Sequence, residues 1–146
     1  MRPLAFLLYP FALIYGLITK LRNWFFDLGV LKSISSSVPS VLVGNLSVGG
    51  TGKTPMIEFL IRMLKSDFTL GTLSRGYGRK TKGFRRANKS DDPKTIGDEP
   101  FQLFSKYGSE IDVFVGEDRV DAIREISDQK KFPDLILLDD AFQHRY

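Results

Sequence analysis

The chain has 146 residues, no cysteine, one histidine and a formal net charge of +4. Its length is sufficient for one α/β domain with a buried core. The lack of cysteine excludes disulfide frameworks and thiolate metal sites and is compatible with a reducing cytoplasm, and the single histidine, His144, excludes a multi-histidine metal site.

The N-terminal segment predicts an apolar helix that contacts a membrane. Residues 3–19 carry no charge, basic residues flank them, and Trp24 follows shortly after. A cleaved signal peptide is disfavoured because residues 21–24 offer no small-residue cleavage site. A transmembrane helix needs about 20 apolar residues, and Pro10 interrupts this segment, so spanning is marginal. We favour a helix lying in the membrane interface over a helix packed on another part of the protein.

A serine-rich connector over residues 31–40 leads to a predicted phosphate-binding turn. Residues 41–46 predict a buried strand and residues 55–65 predict a helix, with a glycine-rich turn between them. This is the layout of a nucleotide-binding P-loop, in which backbone N–H groups surround phosphates, a lysine reaches the terminal phosphates and a hydroxyl binds Mg²⁺. The turn departs from the strict pattern at Ser47, where a glycine is expected. The predicted nucleotide contacts are Val48, Gly49, Gly50, Thr51, Gly52, Lys53 and Thr54.

The remaining chain alternates strands with helices. Further strands are expected at residues 68–73, 111–115 and 134–138. Further helices are expected at residues 97–107 and 117–127, the second with Val120, Ile123 and Ile126 on one apolar face. Such alternation predicts an α/β fold of the P-loop NTPase type, with a mostly parallel sheet flanked by helices. The expected organisation is a membrane-associated helix over residues 1–30, a linker over 31–40, and a nucleotide-binding domain over 41–146 that is incomplete and lacks a C-terminal lobe.

Several polar motifs follow predicted strands. Ligands of parallel α/β sheets bind at the carboxyl ends of the strands, where Ser74, Arg75, Asp139 and Asp140 fall together with the P-loop. An apolar run that ends in aspartate is typical of the Walker B strand, which places an acid beside Mg²⁺. The alternative is that the two acids are solvated in a loop.

Asp98 and Glu99 begin a predicted helix, and two interpretations of them are equally open. Acids at a helix start stabilise the helix dipole and cap N–H groups, and Thr95 and Pro100 suit that role as well. In the functional interpretation, one acid is a base or a water-orienting carboxylate near the γ-phosphate.

Seven cations and no acid lie within residues 75–89, which we expect to form a loop or a hairpin. Such a block indicates phosphate groups, a nucleic acid or an anionic membrane surface. Arg75 and Arg79 suit either bidentate phosphate binding or a solvated loop. Tyr77 suits either stacking on a sugar or simple packing.

The motifs occur in a specific order along the chain. They are Tyr15-Gly16, Leu21-Arg22-Asn23, VGNLSVGGTGKTP at residues 43–55, SRGYG at 74–78, GDEP at 97–100 and LDDAFQHR at 138–145. This set resembles the tetraacyldisaccharide 4′-kinase family, the lipid A 4′-kinases of Gram-negative bacteria. The resemblance covers essentially the whole chain. The family also deviates from the strict P-loop at the position of Ser47, and Ala141 stands where the family more often has glycine.

The resemblance implies ATP-dependent phosphorylation of the 4′-hydroxyl of a tetraacyl diglucosamine 1-phosphate in lipid A biosynthesis. The expected catalytic residues are Asp98, which would activate the sugar hydroxyl, with Lys53, Asp139 and Asp140. The expected Mg²⁺ ligands are Thr54, Glu99, Asp139 and Asp140. The expected substrate contacts are Ser74, Arg75, Tyr77, Arg79, His144 and Arg145.

The resemblance also implies peripheral or monotopic attachment to the cytoplasmic face of the bacterial inner membrane. We expect an acylated disaccharide phosphate lipid as partner, with no nucleic acid and no obligate protein partner. Because the family's second lobe supplies a histidine partner for the catalytic aspartate, we expect these 146 residues alone to bind nucleotide with little turnover. The alternatives are a non-catalytic nucleotide-binding module docked on the membrane and a nucleic-acid-binding ATPase, which depends on the basic loop alone.

Overall fold

The computed structural model describes residues 3–30, 38–44 and 52–139. The chain forms two compact units, with the boundary after residue 34. The first unit contains one helix and the second contains the sheet with its flanking helices.

Helix α1 extends over Pro3–Asp27 and includes Pro10. Between residues 8 and 25 its large apolar side chains are exposed, for example Phe11 at 67% and Tyr15 at 71%. The helix ends in a turn in which the Leu28 N–H donates to the Trp24 carbonyl at 2.9 Å and Gly29 adopts a φ of 71°. None of the helices formed by the described residues is long and apolar enough to cross a membrane.

The second unit contains a five-stranded sheet. Its strands are β1 (Ser40–Val43), β2 (Leu70–Ser74), β3 (Arg85–Arg86), β4 (Asp112–Val115) and β5 (Leu135–Asp139). The spatial order is β1-β5-β2-β4-β3, and every pair is parallel except β3 with β4. The predicted mostly parallel α/β fold is therefore confirmed. The basic segment is mostly loop, as one of the two predicted alternatives, and contributes the short edge strand β3; this strand pairs with β4 rather than forming a hairpin within the segment.

In the described part of the second unit, four helices connect these strands. They are α2 (Lys53–Leu64), α3 (Pro93–Ile96), α4 (Asp98–Tyr107) and α5 (Arg119–Ser127). The sequence did not predict α3. Of the predicted apolar face of α5, Ile123 packs half-buried against the core cluster that contains Ile126, and Val120 is half-buried. The fully buried apolar residues of α5 are Ala122, which was not predicted, and Ile126. The buried face is centred on these two residues because they are four apart and lie one above the other on the helix.

The sheet has apolar side chains on both faces. Ile136 and Leu138 of β5 belong to one cluster, with Ala122 and Ile126 of α5. Leu137, the residue between them, belongs to a second cluster formed with α2 and α4. Since side chains alternate along a strand, one face of the sheet packs on α5 and the other on α2 and α4. This two-sided cover is why β4 and β5 are mostly apolar. The edge strand β1 differs from its prediction as a buried strand, because Val41 and Leu42 are exposed.

Candidate functional site

The register of the sheet aligns the carboxyl ends of three neighbouring strands. Val43 of β1 lies opposite Asp139 of β5, and Leu73 of β2 lies opposite Leu138 of β5. Since these strands are parallel, Asp139 and Ser74 both lie at the edge where β1 leads towards the glycine-rich turn. The predicted convergence of polar motifs at one edge of the sheet is present for these residues.

An open cleft of about 640 Å³ lies at this edge. The described residues that line it are Lys53, Ser74, Arg75, Gly76, Tyr77, Asp98, Glu99, Pro100, Arg119 and Asp139. The structure therefore brings together residues from the first turns of α2, α4 and α5 and from the ends of β2 and β5. Four of the five elements end or begin with a charged residue at the cleft, so charged side chains from distant parts of the sequence face one ligand-sized space.

The phosphate-binding end of the cleft is formed by the first turn of α2. Gly52 precedes this helix with a φ of 80°, a conformation that favours glycine, and Lys53 is its first residue. Thr54 is half-buried and is not among the described residues that line the cleft. The other predicted nucleotide contacts, Val48, Gly49, Gly50 and Thr51, lie outside the described residues, as do Asp140, His144 and Arg145.

Asp98 and Glu99 occupy the first turn of α4, and Gly97 is its N-cap. Both residues are exposed and line the cleft, and within the described chain neither carboxylate has a hydrogen bond or an ion pair. Thr95, one of the two further residues predicted to suit that role, instead forms a capping box with Asp92, the N-cap of α3. The geometry therefore favours the interpretation of Asp98 and Glu99 as groups available to a ligand.

Ser74, Arg75 and Tyr77 line the cleft on the side of β2. The Ser74 hydroxyl is buried and has no hydrogen-bond partner in the described part of the chain, so it is available to a ligand. Arg75 is exposed and makes no ion pair with any described residue. Tyr77 is 93% exposed, which excludes the packing interpretation and leaves its ring accessible to a ligand.

Arg79, predicted as a substrate contact, has a different environment. Its side chain is only 2% exposed and pairs with the Glu117 carboxylate at 2.8 Å. Its guanidinium also donates to the Gly83 carbonyl at 2.6 Å. Arg79 is not among the described residues that line the cleft. A guanidinium that is buried and occupied in this way holds a loop together, so the structure favours a structural role for this residue.

Arg119 is a residue of the cleft that the sequence interpretation missed. It begins α5 directly after Asp118, whose side chain caps this helix, and it is only 6% exposed. Its guanidinium donates to the Asp139 carbonyl oxygen at 2.9 Å. The sequence feature that could have identified Arg119 is an arginine in the first turn of a helix that follows a predicted strand. A buried cation at this position adds positive charge beside the strand that carries Asp139.

The described carboxylates fit a magnesium ion that shares its coordination with phosphate oxygens. Asp139 is buried at 6% exposure, and Glu99 lines the same cleft. The described residues hold no group of three or more acidic, histidine or cysteine side chains that could bind a metal on their own. Magnesium is typically bound by one or two carboxylates together with substrate phosphates and waters, so this donor set is compatible with the ion.

Comparison with known proteins gives one consistent family. A family model described as tetraacyldisaccharide-1-P 4′-kinase (LpxK) matches residues 4–146. The chain is 51% identical over 139 residues to a tetraacyldisaccharide 4′-kinase of Flavobacterium johnsoniae, covering 95% of this chain and 41% of the relative. It is also 51% identical over 140 residues to the enzyme of that name in Bacteroides fragilis, covering 95% of this chain and 37% of the relative.

A solved structure has the same fold. It is the "apo" form of LpxK from Aquifex aeolicus in complex with ATP, with a TM-score of 0.77 and 38% sequence identity. The match covers 94% of this chain and 44% of the Aquifex chain. The chain thus spans about 40% of the length of the curated relatives that it matches.

Proposed function

The chain belongs to the tetraacyldisaccharide-1-P 4′-kinase family, and we propose that it forms the nucleotide-binding part of an ATP-dependent lipid kinase. The proposed reaction is phosphorylation of the 4′-hydroxyl of a tetraacyl diglucosamine 1-phosphate in lipid A biosynthesis. Family membership confirms the resemblance predicted from the sequence motifs. The observation that carries the proposal is the single cleft lined by Lys53, Asp98 and Asp139.

On the nucleotide side, we assign phosphate binding to the segment 48–54. Lys53 at the start of α2 would contact the terminal phosphates, and the helix N-terminus adds a favourable dipole. Mg²⁺ would be held by Asp139, Glu99, Asp140 and Thr54, and it supplies charge neutralisation at the transferring phosphoryl group. The support for ATP is the ATP complex of the related Aquifex protein.

On the acceptor side, Asp98 is the proposed base. Its carboxylate would accept the proton of the 4′-hydroxyl while the sugar oxygen forms a bond to the γ-phosphorus and ADP departs. A carboxylate at the cleft wall that has no partner among the described residues suits this task, because proton transfer requires direct contact with the reacting hydroxyl. Ser74, Arg75 and Tyr77 are the proposed substrate contacts among the described residues, and His144 and Arg145 are proposed on sequence grounds alone.

The proposed substrate is a lipid, so the enzyme would work at a membrane surface. We assign the exposed apolar helix α1 to the interface of the cytoplasmic leaflet of the bacterial inner membrane. The exposed cations Lys80, Lys82 and Lys89 of the basic segment would then be available to anionic headgroups, whereas Arg79, Arg85 and Arg86 form ion pairs within the protein. Peripheral or monotopic attachment would bring the cleft to a substrate whose acyl chains remain in the bilayer.

The experiment that tests this function is a phosphoryl-transfer assay on the protein at its full natural length. The wild type should transfer the γ-phosphate of ATP to the lipid disaccharide. Asp98→Asn should lower kcat by about 10²- to 10⁴-fold, because it removes the general base, while ATP affinity is retained. The matched control is Asp67→Asn, which removes an exposed carboxylate in the turn after α2 and should leave kcat unchanged.

Two results would contradict this assignment. Normal turnover of Asp98→Asn would remove Asp98 from the catalytic role. ATP binding without any transfer by the wild type would favour the alternative of a non-catalytic nucleotide-binding module. Both interpretations include membrane contact, so only the transfer step separates them.

A further inference from the structure

We propose that Arg79 is a positioning residue whose ion pair with Glu117 sets the geometry of the acceptor side of the cleft. This inference rests on the proposed function, because the pair is expected to affect the step in which Asp98 accepts the proton of the sugar hydroxyl. It replaces the predicted substrate contact of Arg79 with an indirect role.

The Arg79 guanidinium connects two loops. It forms the 2.8 Å ion pair with Glu117, which follows β4, and it donates to the Gly83 carbonyl at 2.6 Å. The second Glu117 carboxylate oxygen accepts from the Gly83 N–H at 2.9 Å. Gly83 therefore contacts both members of the pair through its backbone, so that the loop between β2 and β3 is attached to the loop between β4 and α5.

The aliphatic part of the Arg79 side chain supports a tight turn. The Arg79 N–H donates to the Gly76 carbonyl at 3.2 Å, and Gly76 has a φ of 69°. A Cβ atom on Gly76 would lie 2.7 Å from Arg79 Cδ, which shows that the side chain runs directly against this turn. The two residues beside Gly76, Arg75 and Tyr77, line the cleft.

The same turn packs against the start of α4. A Cβ atom on Gly97 would lie 3.0 Å from the Tyr77 carbonyl oxygen and 3.1 Å from the Gly76 carbonyl carbon. Gly97 is the N-cap of the helix that begins with Asp98. The backbone of the turn and the backbone that carries the proposed base are thus in contact, so displacement of one requires displacement of the other.

Further contacts extend this connection. The Lys80 N–H donates to the Lys94 carbonyl at 2.7 Å, and the Thr81 hydroxyl donates to the Thr95 carbonyl. These contacts join two parts of the cleft lining, namely the turn that carries Arg75 and Tyr77 and the start of α4, which carries Asp98. The Arg79–Glu117 pair lies behind this part of the lining. Loss of the Arg79–Glu117 pair would allow this part of the cleft lining to move. Displacements of about 1 Å at reacting groups can lower rates by about 10²-fold.

The pair is held in its charged form. Burial raises the pKa of Glu117, but a backbone hydrogen bond within Glu117, the Arg79 charge and the Gly83 N–H lower it, and the net pKa is below the usual range. Glu117 is thus ionised at neutral pH. Glu117→Gln removes one charge from the partly exposed member of the pair, so it is a milder change than truncating the buried arginine.

The test compares Glu117→Gln and Arg79→Lys with a matched control in the protein at its full natural length. The control is Asp121→Asn, because Asp121 pairs with Arg124 at 3.5 Å on the solvent face of α5, where both side chains are well exposed. We expect both test variants to lower kcat/KM for the lipid acceptor by about tenfold, with the KM for ATP unchanged, since the α2 segment that binds phosphates is not attached to the pair. A general loss of folding would instead change both substrates together.

Backbone hydrogen exchange gives a second measurement that does not depend on kinase activity. Glu117→Gln should accelerate exchange at the hydrogen-bonded amides of Lys80, Gly97 and Phe101, and the Asp121→Asn control should not. If the wild type transfers no phosphate, the proposed function fails, and the exchange result alone decides the positioning role. Unchanged exchange at Gly97 and Phe101, or an unchanged kcat/KM for the lipid in an active enzyme, would overturn the inference.

Discussion

Gly76 and Gly78 both adopt positive φ angles, 69° and 78°, but only Gly76 is also closely packed. A Cβ atom on Gly76 would lie 2.7 Å from Arg79 Cδ and 2.8 Å from the Ile96 carbonyl oxygen, whereas nothing lies within 4 Å of one on Gly78. A side chain at Gly78 would therefore introduce backbone strain alone, whereas a side chain at Gly76 would introduce both backbone strain and steric overlap.

We predict different costs for alanine at these two glycines. Gly78→Ala should lower the free energy of unfolding by about 1–2 kcal/mol, which is the cost of the left-handed conformation for a residue with a Cβ. Gly76→Ala should lower it by about 1–3 kcal/mol more, because the new methyl group overlaps a backbone oxygen and a buried side chain. Urea unfolding of both variants measures the difference, and equal costs would contradict the packing of the turn.

Arg75 and Arg79 illustrate what a single sequence predicts at the residue scale. Both lie among glycines in a basic segment, so residue type and local pattern give them the same two interpretations. The structure distinguishes them through contacts with a distant residue, since Glu117 pairs with Arg79 and Arg75 faces the cleft. Such a partner, 38 positions away by their residue numbers, leaves no local signal in the sequence around either arginine.

Between β3 and α3, an ion pair joins Arg85 to the buried Asp91. The Asp91 carboxylate is fully buried and accepts from Arg85 Nε at 2.8 Å and from the Asn88 N–H at 2.9 Å. Burial raises the pKa of Asp91, but hydrogen bonds from Arg85, Asn88 and Thr95 and the Arg85 charge outweigh it, so that the net pKa is lowered from its usual value of 3.8. Asp91 therefore stabilises the folded state in its ionised form.

This lowered pKa predicts how stability depends on pH. A carboxylate with a depressed folded-state pKa contributes stability above its unfolded-state pKa of about 3.9 and loses that contribution as the pH falls through the folded-state pKa. Asp91→Asn should lower the free energy of unfolding at pH 7 by about 1.5–3 kcal/mol. The gap between wild type and variant should narrow as the pH falls below about 4.

Denaturant unfolding of both proteins between neutral and acidic pH measures this gap. The matched comparison is Asp112→Asn, which breaks the more exposed Arg86 pair on the neighbouring strand and should cost less than about 1 kcal/mol at pH 7. A gap between wild type and Asp91→Asn that stays constant into acid would show that the Asp91 charge does not stabilise the fold.

At the element scale, the long apolar segments were predictable and the short elements were not. The strands β2, β4 and β5 lie within two residues of their predicted positions, because each is a short segment with apolar residues that is buried on both faces. The four-residue helix α3 was missed, although Asp92, Pro93 and Thr95 carry the sequence signal of a capped helix start. A helix this short has no apolar periodicity, so only its cap can reveal it.

For the whole molecule, the predictable part of the site is the part determined by strand topology. Strand ends of a parallel sheet meet at one edge, so the convergence of Lys53, Ser74 and Asp139 followed from the order of the elements. The position of Arg119 in the cleft did not follow from the order of the elements, because it depends on how α5 is rotated about its axis. Rotation is decided by the packing of Ala122 and Ile126 into the core, which the periodicity of the sequence predicted only approximately.

Helix α1 is the element that we propose to attach the protein to a membrane. Large apolar side chains remain exposed along it, and the Thr19 hydroxyl donates to the carbonyls of Tyr15 and Gly16 at 3.0 and 2.9 Å. This internal hydrogen bonding satisfies the Thr19 hydroxyl, which lowers the cost of burying that residue among acyl chains. Arg22 lies 5.7 Å from the ring centre of Phe26, and such cation and aromatic groups are typical of the headgroup region.

The double variant Phe11→Glu and Ile14→Glu tests this attachment in flotation with vesicles that contain anionic lipid. Both side chains are exposed in the structure, so the substitutions should leave folding intact. Burying either side chain in lipid is worth about 1.5–3 kcal/mol, so the variant should bind vesicles at least about tenfold more weakly. The control places the same two charges at exposed positions of the second unit, as Ser66→Glu and Ser109→Glu, and should float like the wild type. Equal flotation of the two double variants would show that α1 does not carry the membrane contact, because net charge is matched between them.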